Sequence, residues 1–193
     1  PIAQQGSATL AGAIEGDTAF NETVAVYARR EVRSLAEAYR ELRPGRPLET
    51  VVLGCTHYPL AKTEIEQAFA ELAADPAWRD FVAPRPAFVD PATLTARELF
   101  RELARARLRL SPGERPAIAR DQFYLSVPRK EYPGIRLAAD GGLERDYKYG
   151  RLPGQLDRED TKNVPLTPAV LPPASARLLR ERLTAVWSRL GDG

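Results

Sequence analysis

The chain of 193 residues has one cysteine, one histidine and no methionine. A single thiol excludes an intramolecular disulfide, and one Cys with one His leaves a Cys/His zinc site short of ligands. A serine–histidine triad has one histidine to draw on. No run approaches the roughly 18–20 apolar residues of a membrane helix, and no basic start followed by an apolar stretch marks a signal peptide. At 44% hydrophobic and 28% charged residues, there is enough apolar surface for a core, which argues against disorder throughout. The length fits one domain or two small ones. The missing methionine and an opening at Pro1 that reads like the inside of a fold lead us to expect the later part of a longer polypeptide.

Charge of one sign is also scarce. The net charge is +2, from 28 basic and 26 acidic residues. Residues 1–100 hold 10 basic and 14 acidic side chains, and residues 101–193 hold 18 and 12. No five basic residues run together, so the basic half reads as a solvated surface and no nucleic-acid partner is expected.

Apolar periodicity divides the chain. Ala8 to Ile14 reads as a short helix or a buried segment ending at Glu15-Gly16-Asp17, after a candidate strand at residues 1–4. Phe20, Val24, Tyr27, Leu35, Tyr39 and Leu42 recur at helical steps, predicting a helix from Ala19 to Leu42 closed by Arg43-Pro44-Gly45. Residues 50–54, Thr-Val-Val-Leu-Gly, read as a strand buried on both faces. Pro59 opens a helix with Leu60, Ile65, Phe69 and Leu72 on its apolar stripe. Ala87-Phe88-Val89 is a second short strand. Asp90-Pro91 then starts a helix expected to turn Leu94, Leu99, Phe100 and Leu103 inward.

Strands alternating with helices imply an α/β fold with a mainly parallel sheet flanked by helices over residues 1–107. Residues 108–193 read as a small α+β extension. It has a strand at 122–127 and a hairpin of 135–139 with 143–149 around Asp140-Gly141-Gly142. A proline-rich irregular stretch follows at 150–173, then a closing helix from Ala174 to Leu190.

The sole Cys and the sole His lie two positions apart, in Leu53-Gly54-Cys55-Thr56-His57-Tyr58-Pro59. Random placement would bring them that close about 2% of the time. Cys55 falls where a strand ends and a helix is about to begin, the edge at which open α/β sheets bind ligands. Unsatisfied helix amides there attract carboxylates and lower a thiol pKa. Thr56 adds a hydroxyl donor, and His57 a second proton-transfer group. The competing structural reading makes Cys55 a small buried hydrophobe and His57 a satisfied loop residue.

The run Val51-Val52-Leu53-Gly54-Cys55-Thr56-His57-Tyr58-Pro59-Leu60 resembles the second catalytic-cysteine signature of glutamate racemase, within the aspartate/glutamate racemase superfamily. The His-Tyr-Pro continuation favours the glutamate branch. Leu10 to Gly16 is similar to that family's apolar run ending in a Glu near this cysteine. Phe88-Val89-Asp90-Pro91-Ala92 is similar to its Asp-containing turn, and Gln122 to Ser126 to its late Phe-Tyr strand. The ten-residue motif is the specific one. No counterpart of the family's Asp-Ser segment or first catalytic Cys is present, and residues from about 128 extend past where typical members stop.

The resemblance implies part of a two-domain pseudo-symmetric fold and cofactor-independent racemisation of glutamate, without pyridoxal phosphate or metal. That chemistry would supply D-glutamate for peptidoglycan in the cytoplasm. It implies Cys55 as one of two opposed thiols and His57 as an aid to proton transfer. Thr56 would hold a substrate carboxylate, and Glu15 would support His57 or the substrate amine. The expected partners are the small-molecule substrate and an N-terminal half carrying the second thiol; a homodimer is left open and no membrane is involved. Two alternatives stand beside this: a single-cysteine decarboxylase or isomerase of the same superfamily, and a non-catalytic racemase-derived binding domain.

Overall fold

The computed structural model describes residues 1–17, 19–108, 122–155 and 157–191. The chain forms two compact units, Pro1–Pro116 and Ala117–Gly193. The division lies among residues 109–121, outside the described residues.

The first unit is mixed α/β. A six-residue helix α1 (Leu10–Glu15) precedes the long helix α2 (Val24–Glu41). Strand β1 (Leu48–Val52) leads through a 3-10 turn at Tyr58–Ala61 into helix α3 (Lys62–Ala74). Strand β2 (Val82–Val89) pairs parallel with β1 and runs into helix α4 (Pro91–Arg105). The two strands are the only sheet among the described residues of this unit. Residues 1–4, a candidate strand from sequence, form none.

Helix α2 starts at Val24 rather than Ala19. The Thr23 hydroxyl accepts from the Val26 amide at its start, while Asp17 accepts from the Ala19 amide to hold a turn before it. Its end falls where expected, before Arg43-Pro44-Gly45, with Arg43 left-handed at φ 49° and Leu42 exposed. Tyr27, Ala28, Val32, Ala36 and Tyr39 form the buried stripe of α2 against α3, whose own stripe is Ile65, Ala68 and Phe69.

Phe69 is 1% exposed and meets Phe88 of β2 edge to face, with ring centroids 5.7 Å apart. Buried Trp78 lies under two guanidinium groups of α2, Arg40 at 4.4 Å and Arg33 at 5.8 Å from the ring.

Three expectations about this unit are corrected. Strand β1 is not buried on both faces along its length: Leu48 and Val51 are covered, while Glu49, Thr50 and Val52 are exposed. Strand β2 begins at Val82 rather than Ala87. Pro84 and Pro86 make that stretch resemble a turn in sequence, yet proline is compatible with an extended edge strand. The missing proline amides coincide with an irregular register, Leu48 opposite Val82 but Thr50 opposite Ala87. Finally, Leu94, Leu99, Phe100 and Leu103 of α4 do not point into a core; all four are exposed. Helical periodicity identifies an apolar face but not what covers it.

In the second unit, β3 (Tyr124–Pro128) pairs antiparallel with β4 (Thr161–Pro165), Ser126 standing opposite Asn163. The expected irregular stretch 150–173 therefore contains a strand, which its prolines concealed. The turn at Asp140-Gly141-Gly142 is present: Ala138 donates to the Gly142 carbonyl at 2.8 Å, and Leu137 bridges Leu143. Its expected second arm is instead helix α5 (Arg145–Tyr149). The closing helix is divided at Leu183 into α6 (Pro173–Arg182) and α7 (Thr184–Gly191).

Asp160 organises this unit. It is 1% exposed, and its carboxylate accepts from the Tyr147 hydroxyl at 2.9 Å and the Arg151 guanidinium at 2.7 Å. Burial alone would raise its pKa; these two donors outweigh burial and hold it below the usual value.

Among the described residues no helix is long and apolar enough to cross a membrane. Two stability outcomes follow from the burial pattern. Phe69→Ala should cost about 3–5 kcal/mol, and Phe100→Ala less than about 0.5 kcal/mol, both read by urea unfolding. Asp160→Ala leaves Arg151 mostly buried without its counter-charge and should cost about 3–5 kcal/mol. A loss below about 1 kcal/mol in that variant would show the cluster to be incidental.

Candidate functional site

Parallel strands end at the same edge of a sheet, and here β1 and β2 finish together. The Leu53 amide donates to the Val89 carbonyl at 3.0 Å, the last bond between the two strands. The chain then turns tightly. Gly54 donates back to Val52 and Cys55 to Leu53, each at 2.9 Å, and the 3-10 turn begins at Tyr58. Cys55, Thr56 and His57 lie on this turn, with Cys55 half-buried and Thr56 exposed.

Glu15 arrives from α1. Gly16 closes that helix at φ 75°, with its amide donating to Ala13 and that of Asp17 to Gly12. A left-handed glycine is the usual residue for such an ending. It leaves Glu15 as the last helical residue. Glu15 Oε1 is 2.7 Å from His57 Nε2, a contact between residues 42 apart in sequence. His57 Nδ1 faces the sulfur of Cys55 at 3.7 Å, and Thr56 Oγ1 lies 3.4 Å from the same nitrogen. The structure thus brings together all four residues singled out from sequence: Cys55, His57, Glu15 and Thr56. Glu15 contacts His57, one of the two partners expected for it.

The order carboxylate, imidazole, thiol suits proton transfer at sulfur. With Nε2–H directed at Glu15, Nδ1 of neutral His57 is the acceptor that can take the thiol proton. Once charged, the imidazolium donates from both nitrogens. Partial burial alone would raise the Cys55 pKa; hydrogen bonds from the His57 and Tyr58 backbones and from the His57 ring outweigh it, and the thiol is lowered overall. Burial would lower His57, but bonds to Cys55 and Glu15 outweigh that and raise it. The opposite shifts favour a thiolate–imidazolium pair.

A groove of about 700 Å³ also lies in this unit, bounded by residues 1–7, α2 and β1. It reaches Gly54 and Tyr58, but its lining does not include Cys55, His57 or Glu15. The sulfur therefore sits neither in the core nor in that groove. It lies on a half-exposed turn at the strand edge.

Sequence reasoning passed over Glu31, Ser7 and Gln5, which hold the start of α1. Their signal was absent because an isolated Glu on a helix and a Ser-x-Thr stretch occur on any surface. Comparison of the chain with family models, curated proteins and solved structures finds no match. A functional reading therefore rests on the residues of this turn.

The pairing can be tested by the pH dependence of Cys55 alkylation with iodoacetamide. His57→Asn removes the ring hydrogen bond and charge that help to lower the thiol, and leaves both the backbone hydrogen bonds that lower it and the burial that raises it. The midpoint should therefore move to higher pH and the rate at neutral pH should fall. Glu15→Gln should move it in the same direction by less. An unchanged profile in His57→Asn would show that the imidazole does not act on the sulfur.

Proposed function

We propose that this chain carries one catalytic thiol of a cofactor-independent glutamate racemase, an isomerase of the aspartate/glutamate racemase superfamily. The observation that carries the reading is the Glu15–His57–Cys55 relay at the common end of two parallel strands. The motif around Cys55 supports the same assignment. The fold we envisage is one part of a two-domain, pseudo-symmetric arrangement with a mainly parallel sheet. Its setting is the cytoplasm, where it supplies D-glutamate for peptidoglycan.

Racemisation removes the Cα proton from one face and returns a proton to the other. The Cys55 thiolate takes the Cα proton, so an S–H bond forms as the C–H bond breaks. The electron pair left behind delocalises into the substrate carboxylate. A second thiol on the opposite face then gives its proton to Cα and becomes the thiolate. His57, held by Glu15, stabilises the charged form of Cys55 in one direction and accepts the developing charge in the other. Thr56 donates its hydroxyl to a substrate carboxylate. The sequence has one cysteine, so in this scheme the second thiol comes from another polypeptide segment, the N-terminal half of the family or a partner chain.

A single base returns the proton to the face from which it came. Incubated in D₂O with each enantiomer of glutamate, the chain alone should place deuterium at Cα of one enantiomer with configuration retained. Cys55→Ser should abolish the exchange, and His57→Asn should slow it more than it weakens substrate binding. Absence of exchange with both enantiomers would overturn the reading. Interconversion of D- and L-glutamate by this chain unaided would overturn the two-thiol scheme.

A further inference from the structure

Helix α1 carries Glu15 to His57, yet a six-residue helix cannot hold its own shape in water. Its end is closed by Gly16, but its beginning lacks the usual cap: the Thr9 side chain makes no capping bond to it. The cap comes from two residues earlier. Ser7 Oγ accepts from the Leu10 amide at 2.9 Å and from the Thr9 amide at 3.3 Å. That hydroxyl spends its own proton on Glu31 of α2, Ser7 Oγ to Glu31 Oε1 at 2.7 Å.

Glu31 gathers more of the same segment. Gln5 Nε2 donates to Glu31 Oε2 at 3.1 Å, and the Thr9 hydroxyl to Oε1 at 3.5 Å. Ser34, one turn along α2, donates to Gln5 Oε1 at 3.1 Å. One half-buried carboxylate on the long helix thus anchors residues 5–9, and those residues set the start of the helix whose last residue meets the imidazole.

We propose that Glu31, acting through Ser7, is a positioning residue for the Cys55–His57 pair, fixing α1 so that Glu15 stays within hydrogen-bond reach of His57. The proposal rests on reading that pair as a proton-transfer device. Glu31 touches neither sulfur nor imidazole, so its effect travels through α1. The titratable groups that face His57 are Cys55 on its own turn and Glu15 on α1. Tyr58 adjoins it and senses both Cys55 and Glu31.

His57 is the sole histidine, so its imidazole titration can be followed by NMR in the full chain without assignment ambiguity and without any substrate. Glu15→Ala removes a partner that raises His57 and should move the midpoint to lower pH. Ser7→Ala and Glu31→Ala should each move it in that direction, recovering most of the Glu15→Ala displacement, with Glu31→Gln intermediate. Ser7→Ala changes no charge, so its shift separates geometry from the direct field of Glu31. In a Glu15→Ala background, Ser7→Ala should add nothing.

Wild-type midpoints in both Ser7→Ala and Glu31→Gln would overturn the proposal, and these two mild variants serve if Glu31→Ala fails to fold. A Ser7→Ala shift that persists undiminished in the Glu15→Ala background would also overturn it, because the route would not run through Glu15. Loss of deuterium exchange from glutamate with the titration coupling intact would strike the racemase reading alone.

Discussion

Leu53 and Val89 share the last backbone bond between two parallel strands, and the candidate site depends on where that bond falls. Parallel pairing brings both chains out at one edge. The turn after β1 carries Cys55, Thr56 and His57. The turn after β2 carries Asp90, whose carboxylate accepts from the Ala92 amide at 2.9 Å and from the Thr93 hydroxyl at 2.7 Å to start α4. Bonding to Thr93 is the main influence that holds the Asp90 pKa below its ordinary value. An antiparallel pair would have sent these two turns to opposite ends. The α3 helix, clamped through Phe69 against Phe88, keeps the strands in register beneath them.

The chemistry then turns on a competition between burial and bonding. Half-burial of the sulfur disfavours the thiolate, and a cysteine in that position without His57 would be a poor base. Backbone hydrogen bonds from His57 and Tyr58 together with contact with the imidazole reverse the balance, and Glu15 favours the charged ring. The same competition is decided the same way at Asp160, where Tyr147 and Arg151 overcome a nearly complete loss of water. At Asp160 both donors are fixed within one unit and the outcome is structural. At Cys55 the sulfur and ring remain partly open, so the proton can leave and return.

What could be read from the sequence was whatever is local. The Gly54-Cys55-Thr56-His57-Tyr58-Pro59 run, the helical stripe of α2 and the Asp90-Pro91 helix start each announce themselves within a few residues, because caps, prolines and periodicity are short-range effects. Features that depend on distant neighbours were not legible. Strand β4 hides among prolines that an edge strand tolerates, and its existence depends on β3, 33 residues or more away. The apolar face of α4 looks identical in sequence whether covered or bare. The arm after Asp140-Gly141-Gly142 is helix α5, whose Tyr147 bonds buried Asp160, a partner that no window around the turn contains.

The position of Glu15 is the sharpest case of this dependence. Its helix spans six residues, and isolated helices of that length do not persist. Three separate devices hold it. Gly12 lets the ring of Phe20 lie where a Cβ would come within 2.1 Å of a ring carbon, and Phe20 in turn meets Tyr27 of α2 edge to face at 6.0 Å. Gly16 supplies the left-handed ending. Ser7, bonded to Glu31, supplies the missing cap. A cap is worth about 0.5–2 kcal/mol, and the intrinsic cost of a glycine inside a helix, about 1 kcal/mol, is of the same size. Gly12 therefore weakens α1 as a helix while allowing it to dock, so the segment is ordered only as far as α2 orders it. The carboxylate that tunes His57 is thus placed by tertiary contacts rather than by its own helix, and the reactivity of Cys55 is coupled to the packing of residues 5–17 and of Phe20 against α2.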